Sequence, residues 1–161
     1  MERARAIAEL ELDAARAWAA RHRATLTWIA ETLELRATFM QPIGDLEETF
    51  FLRGSFDGYR EVPPIWVFTD ETWGAMSRPV DSPQAAPPGG RSSMFISHNG
   101  RAVICAPFNR LAYAAKEGPH QDWGGPELWL SAGPNLVHAA TIGDMLQAIH
   151  RDLVFAVGRL S

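Results

Sequence analysis

Apolar residues recur at helical spacing near the start of the chain and alternate with polar residues further on. The helical spacing predicts an amphipathic helix over residues 3–22, with an apolar stripe of Ile7, Leu10, Ala14, Ala17 and Trp18. The alternating segments predict strands over residues 33–40, 49–56 and 65–69. Residues 26–29 suggest a short strand before them. Short connections favour an antiparallel meander of three to four strands, with a turn marked by Pro42, Gly44 and Asp45.

The second half of the chain predicts a long loop, an irregular stretch and a closing helix. Residues 70–93 contain several prolines and glycines and few large apolar side chains, which indicates a surface loop. Residues 94–113 are irregular and aromatic, and they contain Cys105. Thr141 is a good helix N-cap. Asp144, three residues later, is its capping partner. The apolar stripe consists of Ile142, Met145, Leu146, Ile149 and Leu153, and Gly158 marks the end of the helix.

Composition narrows the class of protein. The 161 residues suit one α+β domain spanning 1–161. A net charge of −4 does not favour nucleic-acid binding. No apolar run approaches the ~20 residues of a membrane span, and the charged start of the chain is unlike a signal peptide. The single cysteine excludes an internal disulfide and suits a reducing compartment, so we expect a cytoplasmic protein.

The order of these elements, together with three local segments, resembles the ubiquitin-conjugating (E2-type) enzymes. In the first segment a strand end, a tyrosine, a double proline and an apolar strand follow one another, as Phe56, Tyr59, Pro63, Pro64, Phe68 and Thr69. In the second, a glycine and an isoleucine precede the cysteine, as Gly100, Ile104 and Cys105. In the third, Thr-Ile opens the last helix, with Leu146 and Ile149 among its apolar residues. The short form is most like bacterial members, which are encoded in operons tied to defence against phage.

The resemblance implies a thioester carrier that needs no cofactor and no metal. Cys105 would accept a ubiquitin-like protein from an activating enzyme and pass it to an amine of a target protein. The family carries a His-Pro-Asn triplet before its cysteine. Here His98 and Asn99 are adjacent, and Asn99 lies six residues before Cys105. Asn99 is the first candidate for stabilising the oxyanion and His98 the second.

Other expected roles are an acid near the acceptor amine and a basic docking face. Asp122 and Glu117 follow Cys105 and are candidates for the acid. In the family the first helix contacts the activating enzyme. Its exposed arginines here would be Arg3, Arg5 and Arg16.

Alternatives remain at each of these positions. The alternative for Cys105 is a buried structural role. The alternative for Asn99-Gly100 is a plain turn, and the alternative for the two acids is an ordinary solvated surface. A Cys-His protease would pair the thiol with His120, His138 or His150, but no local protease signature is present. A non-catalytic binding module with the same fold is the rival from another class, and an unrelated α+β domain is a third. No histidine and cysteine spacing fits a zinc site.

Overall fold

Two α-helices, eight strands and four short 3-10 helices make up the regular structure of the described residues. The computed structural model describes residues 1–74, 76–114, 118–131 and 139–161. The helices are α1 (Glu2–Arg21) and α2 (Ile142–Leu153). The strands are β1 (Ala24–Ile29), β2 (Glu34–Ile43), β3 (Leu46–Ser55), β4 (Ile65–Thr69), β5 (Pro83–Ala85), β6 (Phe95–His98), β7 (Arg101–Ile104) and β8 (Ala156–Arg159).

The first four strands form the predicted antiparallel meander. They pair in the order β1-β2-β3-β4. The β2–β3 turn is tight, with Ile43 opposite Leu46 and Gly44 at φ +59°. Pro42 lies within β2 instead of the turn. A proline is accommodated there because β1 stops pairing with β2 at Phe39, so β1 does not need the backbone N–H that Pro42 lacks. An α+β structure with an N-terminal helix, a four-stranded antiparallel sheet and a C-terminal helix is confirmed.

Helix α2 matches the sequence prediction at its start and along its buried face. Thr141 and Asp144 form a reciprocal capping box. The predicted apolar stripe is completely buried, at Ile142, Met145, Leu146, Ile149 and Leu153. The indole nitrogen of Trp66 lies 3.3 Å from the Met145 sulfur, which links the helix to β4. The helix ends at Leu153, before Gly158, which lies in β8 instead.

Helix α1 spans the predicted residues but buries a different face. Leu10 is 83% exposed, and Ala14 and Ala17 are exposed as well. The buried residues are Ala4, Ala8, Leu12, Ala15, Trp18 and Ala19. The predicted stripe is therefore confirmed at Trp18 and Ile7, which pack in or against the core, and wrong at the other three positions, because small alanines line most of the packed face and carry little hydrophobic signal. No helix among the described residues is both long enough and apolar enough to cross a membrane.

A partly buried carboxylate ties the two helices together. Glu11 of α1 accepts hydrogen bonds from the Ile142 backbone N–H and the Tyr59 hydroxyl, both at 2.8 Å. The first bond satisfies a free N–H at the start of α2, where the helix dipole also favours a negative charge. Burial and the Glu11 carboxylate raise the pKa of Tyr59, so its hydroxyl stays a donor.

The two segments that the sequence described as irregular contain additional strands. Within residues 70–93, β5 pairs antiparallel with the late strand β8. Within residues 94–113, β6 and β7 form a hairpin whose turn is Asn99-Gly100. The prediction of unstructured chain was wrong here because both β5 and β6 are only three or four residues long. Pairing partners close in space, and not local pattern, stabilise strands this short.

The close packing of β3 against β4 gives a stability prediction. A Cβ added at Gly54 would lie 2.6 Å from Trp66 Cζ3 and 2.8 Å from Phe56 Cε2, and both rings are completely buried. Gly54→Ala should therefore lower the free energy of unfolding by about 1–3 kcal/mol. Gly158→Ala is the matched control, because nothing lies within 4 Å of its Cβ position. Denaturant unfolding measures both, and equal stabilities would contradict the packing described.

Candidate functional site

Cys105 lies in coil directly after β7, and its backbone is held from both sides. Its N–H donates to the Met94 carbonyl at 2.7 Å. The preceding carbonyl, of Ile104, accepts from Asn109 Nδ2 at 2.8 Å. Asn109 is completely buried, and its Oδ1 accepts from the Trp66 N–H at 3.0 Å. Asn109 therefore fixes the Cys105 segment against β4, so that the half-buried thiol has a defined position.

A histidine contacts the thiol. His120 Nε2 lies 2.5 Å from Cys105 Sγ. The imidazole stacks on Trp123, with centroids 3.9 Å apart and planes 7° apart. Its other nitrogen, Nδ1, lies 3.7 Å from Asp122 Oδ1. The three side chains form a thiol–imidazole–carboxylate arrangement of the kind that activates a nucleophile.

The thiol and the imidazole open into a cavity of about 430 Å³. This volume lies within the ~300–1,000 Å³ range of pockets that bind small ligands. The cavity is lined by Arg91, Ser92, Ser93, Met94, Cys105, Pro107, His120, Trp123, Arg151 and Asp152. A substrate group can therefore reach the sulfur from solvent. Among the residues that the structure describes, no cluster of three histidine, cysteine or acidic side chains would hold a metal ion.

Asp152 supports this cavity from the last turn of α2. It is completely buried. Its Oδ2 accepts from the Met94 N–H at 2.7 Å, and its Oδ1 accepts from Arg91 Nη1 at 2.5 Å. Because the Met94 carbonyl in turn holds Cys105, Asp152 positions the nucleophile through one intervening residue.

The thiol is held in its neutral form. Burial, together with the negative charge of Asp122, raises the pKa of Cys105 to about 11. At that value only about one thiol in ten thousand is ionised at pH 7. A reaction at the sulfur then needs a base in contact with it, and the His120 imidazole occupies that position.

The predicted oxyanion candidates lie at the far end of the hairpin. Asn99 and His98 are at the β6–β7 turn, with Asn99 at φ +51° and its Nδ2 3.3 Å from His98 Nε2. The four residues of β7, about 13 Å of extended chain, separate this turn from Cys105. Neither side chain lines the cavity. The geometry favours the turn interpretation, and the oxyanion role stays a prediction.

The remaining predicted residues fall into three groups. Asp122 lies beside His120, whereas Glu117 is outside the described residues. The arginines of α1 are exposed, and each pairs with a nearby carboxylate: Arg3 with Glu61, Arg5 with Glu9 and Arg16 with Asp13. Their docking role stays a prediction.

Sequence reasoning had named His120 only as one of three possible partners for the thiol. Of the other two, His138 lies outside the described residues. His150 lies between the helices, with its ring centroid 5.5 Å from Trp18 and 4.9 Å from His22. Burial and His22 lower the pKa of His150. No local spacing singles out His120, because it is fifteen residues from Cys105 and joins it only in the fold.

Comparison with known proteins adds no relative. No protein-family model matches the chain, and neither a curated protein nor a solved structure matches it.

The raised thiol pKa predicts slow, strongly pH-dependent alkylation. Because Cys105 is the sole cysteine, its reaction with iodoacetamide is directly measurable by intact mass. The rate should rise about tenfold per pH unit between pH 7 and 10, since only the thiolate reacts. Asp122→Asn should lower the thiol pKa and speed the reaction at pH 8, because it removes a negative charge that opposes ionisation. Asp45→Asn, at the β2–β3 turn, should change nothing. A thiol titrating at or below its ordinary value would contradict this description of the site.

Proposed function

We propose that the protein is a conjugating enzyme that carries a ubiquitin-like protein as a thioester on Cys105. It would receive this protein from an activating enzyme and transfer it to an amine of a target protein. The observation that carries the proposal is the contact between the sole cysteine and His120 at the edge of an open cavity. The site lies between an antiparallel meander and the last helix, in the order that the family resemblance implies.

The side chains supply what thioester exchange requires. Cys105 Sγ attacks the carbonyl carbon of the incoming thioester as His120 Nε2 takes the thiol proton. The bond from that carbon to the sulfur of the activating enzyme breaks, and the departing sulfur receives the proton. In the second step the amine nitrogen attacks the same carbon, Cys105 departs as thiolate, and the amine proton returns to it through His120. Asp122 Oδ1 lies 3.7 Å from His120 Nδ1, too far for a hydrogen bond, so its exposed carboxylate stabilises the protonated imidazole by charge alone.

The biological setting follows from the resemblance. The resemblance is to bacterial members of the family, so we place the activity in a ubiquitin-like conjugation pathway of antiphage defence. A single free cysteine that must stay reduced suits the cytoplasm.

The Cys105–His120–Asp122 arrangement also favours a second function. The same three groups would serve a thiol hydrolase that cleaves a thioester or an amide with water. The two functions differ in the fate of the acyl group: a conjugating enzyme holds it until an amine arrives, and a hydrolase releases it at once.

Mixing the protein with its activating enzyme, ATP and the ubiquitin-like protein should give an adduct on Cys105. The wild-type adduct should disappear under reducing conditions. Cys105→Ser should give an ester that persists until mild base is added, because oxygen is a poorer leaving group. Cys105→Ala should give none. Mass spectrometry and gels run with and without reductant measure these species.

Each other outcome rejects the proposal in a distinct way. A reductant-sensitive adduct that survives in Cys105→Ala would disprove the assignment of the nucleophile. Release of the intact ubiquitin-like protein by water, with no amine present, would favour the hydrolase. No adduct at all would favour a non-catalytic binding module.

Two substitutions test the role of His120 as a base and the role of Asn99 in the oxyanion site or the turn. His120→Gln should slow both loading and discharge by about 10²-fold, the usual contribution of a positioned base. Asn99→Ala should slow discharge alone by about 10²-fold if it stabilises the oxyanion. If it only shapes the turn, as its position at the hairpin tip favours, Asn99→Ala should lower thermal stability and change the discharge rate little. Single-turnover rates and thermal melting distinguish these results, and an unchanged His120→Gln would remove His120 from the mechanism.

A further inference from the structure

The residues that line the cavity beside Cys105 carry a net positive charge. Its lining contains two arginines, Arg91 and Arg151, and one carboxylate, Asp152. Asp152 is already paired with Arg91. Arg151 is exposed and forms no ion pair with the carboxylates of the described chain. A positive cavity is unexpected in a protein whose net charge is −4.

The backbone of Arg151 is tied to the segment that carries the nucleophile. It lies in the last turn of α2, next to Asp152, which holds Met94 and through it Cys105. Asp122, the other carboxylate of the site, lies beside His120 but not in the cavity lining. Asp122 therefore acts on the sulfur itself, whereas the unpaired charge in the lining of the cavity is that of Arg151.

We infer that Arg151, in the lining of the cavity, selects a ubiquitin-like protein whose tail carries a carboxylate side chain a few residues before the reacting carbonyl. The inference rests on the proposed function. The donor tail must lie against Cys105 Sγ, so the residues before its carbonyl have to occupy the space next to the sulfur. The acceptor amine is not a suitable ligand for this part of the cavity lining, because it arrives as an ammonium that Arg151 repels.

The other lining groups suit a short peptide. Met94, Pro107 and Trp123 offer apolar surface, and Ser92 offers an exposed hydroxyl. The volume of about 430 Å³ holds an extended segment and not a folded domain. Specificity would then come from charge, because Arg151 in the lining has no carboxylate partner among the described residues.

Synthetic peptides that end in a thioester of a small thiol test this directly and need no activating enzyme. Cys105 Sγ displaces the small thiol, which leaves with the proton, and intact mass reports the acylated protein. The peptides carry glutamate, glutamine or lysine at each of the second to fifth positions before the reacting carbonyl. At one position the glutamate peptide should react about fivefold faster than the glutamine peptide at low salt, the upper range for an exposed ion pair. The lysine peptide should be the slowest.

Variants of Arg151 assign the preference. Arg151→Gln should abolish it, Arg151→Glu should reverse it in favour of lysine, and Arg151→Lys should retain it. Arg21→Glu is the matched control, because Arg21 is an exposed arginine in the last turn of the other helix. It should leave the preference unchanged. The effect should lie in the peptide concentration needed for half-maximal rate, and not in the saturating rate, since Arg151 binds the tail and does not react.

The outcomes separate this inference from the function beneath it. Acylation at equal rates by all peptides, or a glutamate preference that survives in both Arg151→Gln and Arg151→Glu, overturns the inference and leaves the carrier function standing. No acylation by any peptide, when iodoacetamide still labels Cys105, also overturns the inference, and the adduct formed with the activating enzyme then decides the carrier function separately.

Discussion

Asp152 is a completely buried carboxylate, and the geometry around the nucleophile depends on it. Burying a charge costs several kcal/mol unless hydrogen bonds and an opposite charge offset the loss of water. Here the Met94 N–H and Arg91 provide both. Glu11 has the corresponding role at the other end of α2, where it accepts the Ile142 N–H. The helix is thus fixed at both ends by carboxylates, and its C-terminal end supports the segment that carries Cys105.

A thiol with a raised pKa suits a carrier better than a rapid hydrolase. Burial and Asp122 keep the Cys105 sulfur neutral at rest, which protects it from oxidants and alkylating agents that react with thiolates. The same property affects the acylated state, because a thiol of high pKa is a slower leaving group. In the proposed mechanism, His120, which contacts the sulfur, removes the thiol proton as the acyl group arrives.

The sequence predicted those features that nearby residues determine. The α2 helix was found because Thr141 and its buried apolar stripe lie within one short segment. The face of α1 was missed because the large Leu10 is exposed and the packed positions are mostly alanine. Cys105 was recognised because it is the sole cysteine. Its partner His120 was not singled out, because a contact between residues in separate loops leaves no spacing in the chain.

The pairing of β5 with β8 has a consequence for how the protein folds. Pro83 is opposite Arg159, so this small sheet joins chain segments that are distant in sequence, whereas the meander joins neighbours. Closing so large a loop costs more entropy, and contacts of this kind form slowly. The segment after β5 contributes Arg91 and Met94 to the cavity. The four-stranded meander should therefore form first and the cavity around the nucleophile last. Newly made protein should then carry a solvent-exposed, ordinary thiol until β8 pairs with β5.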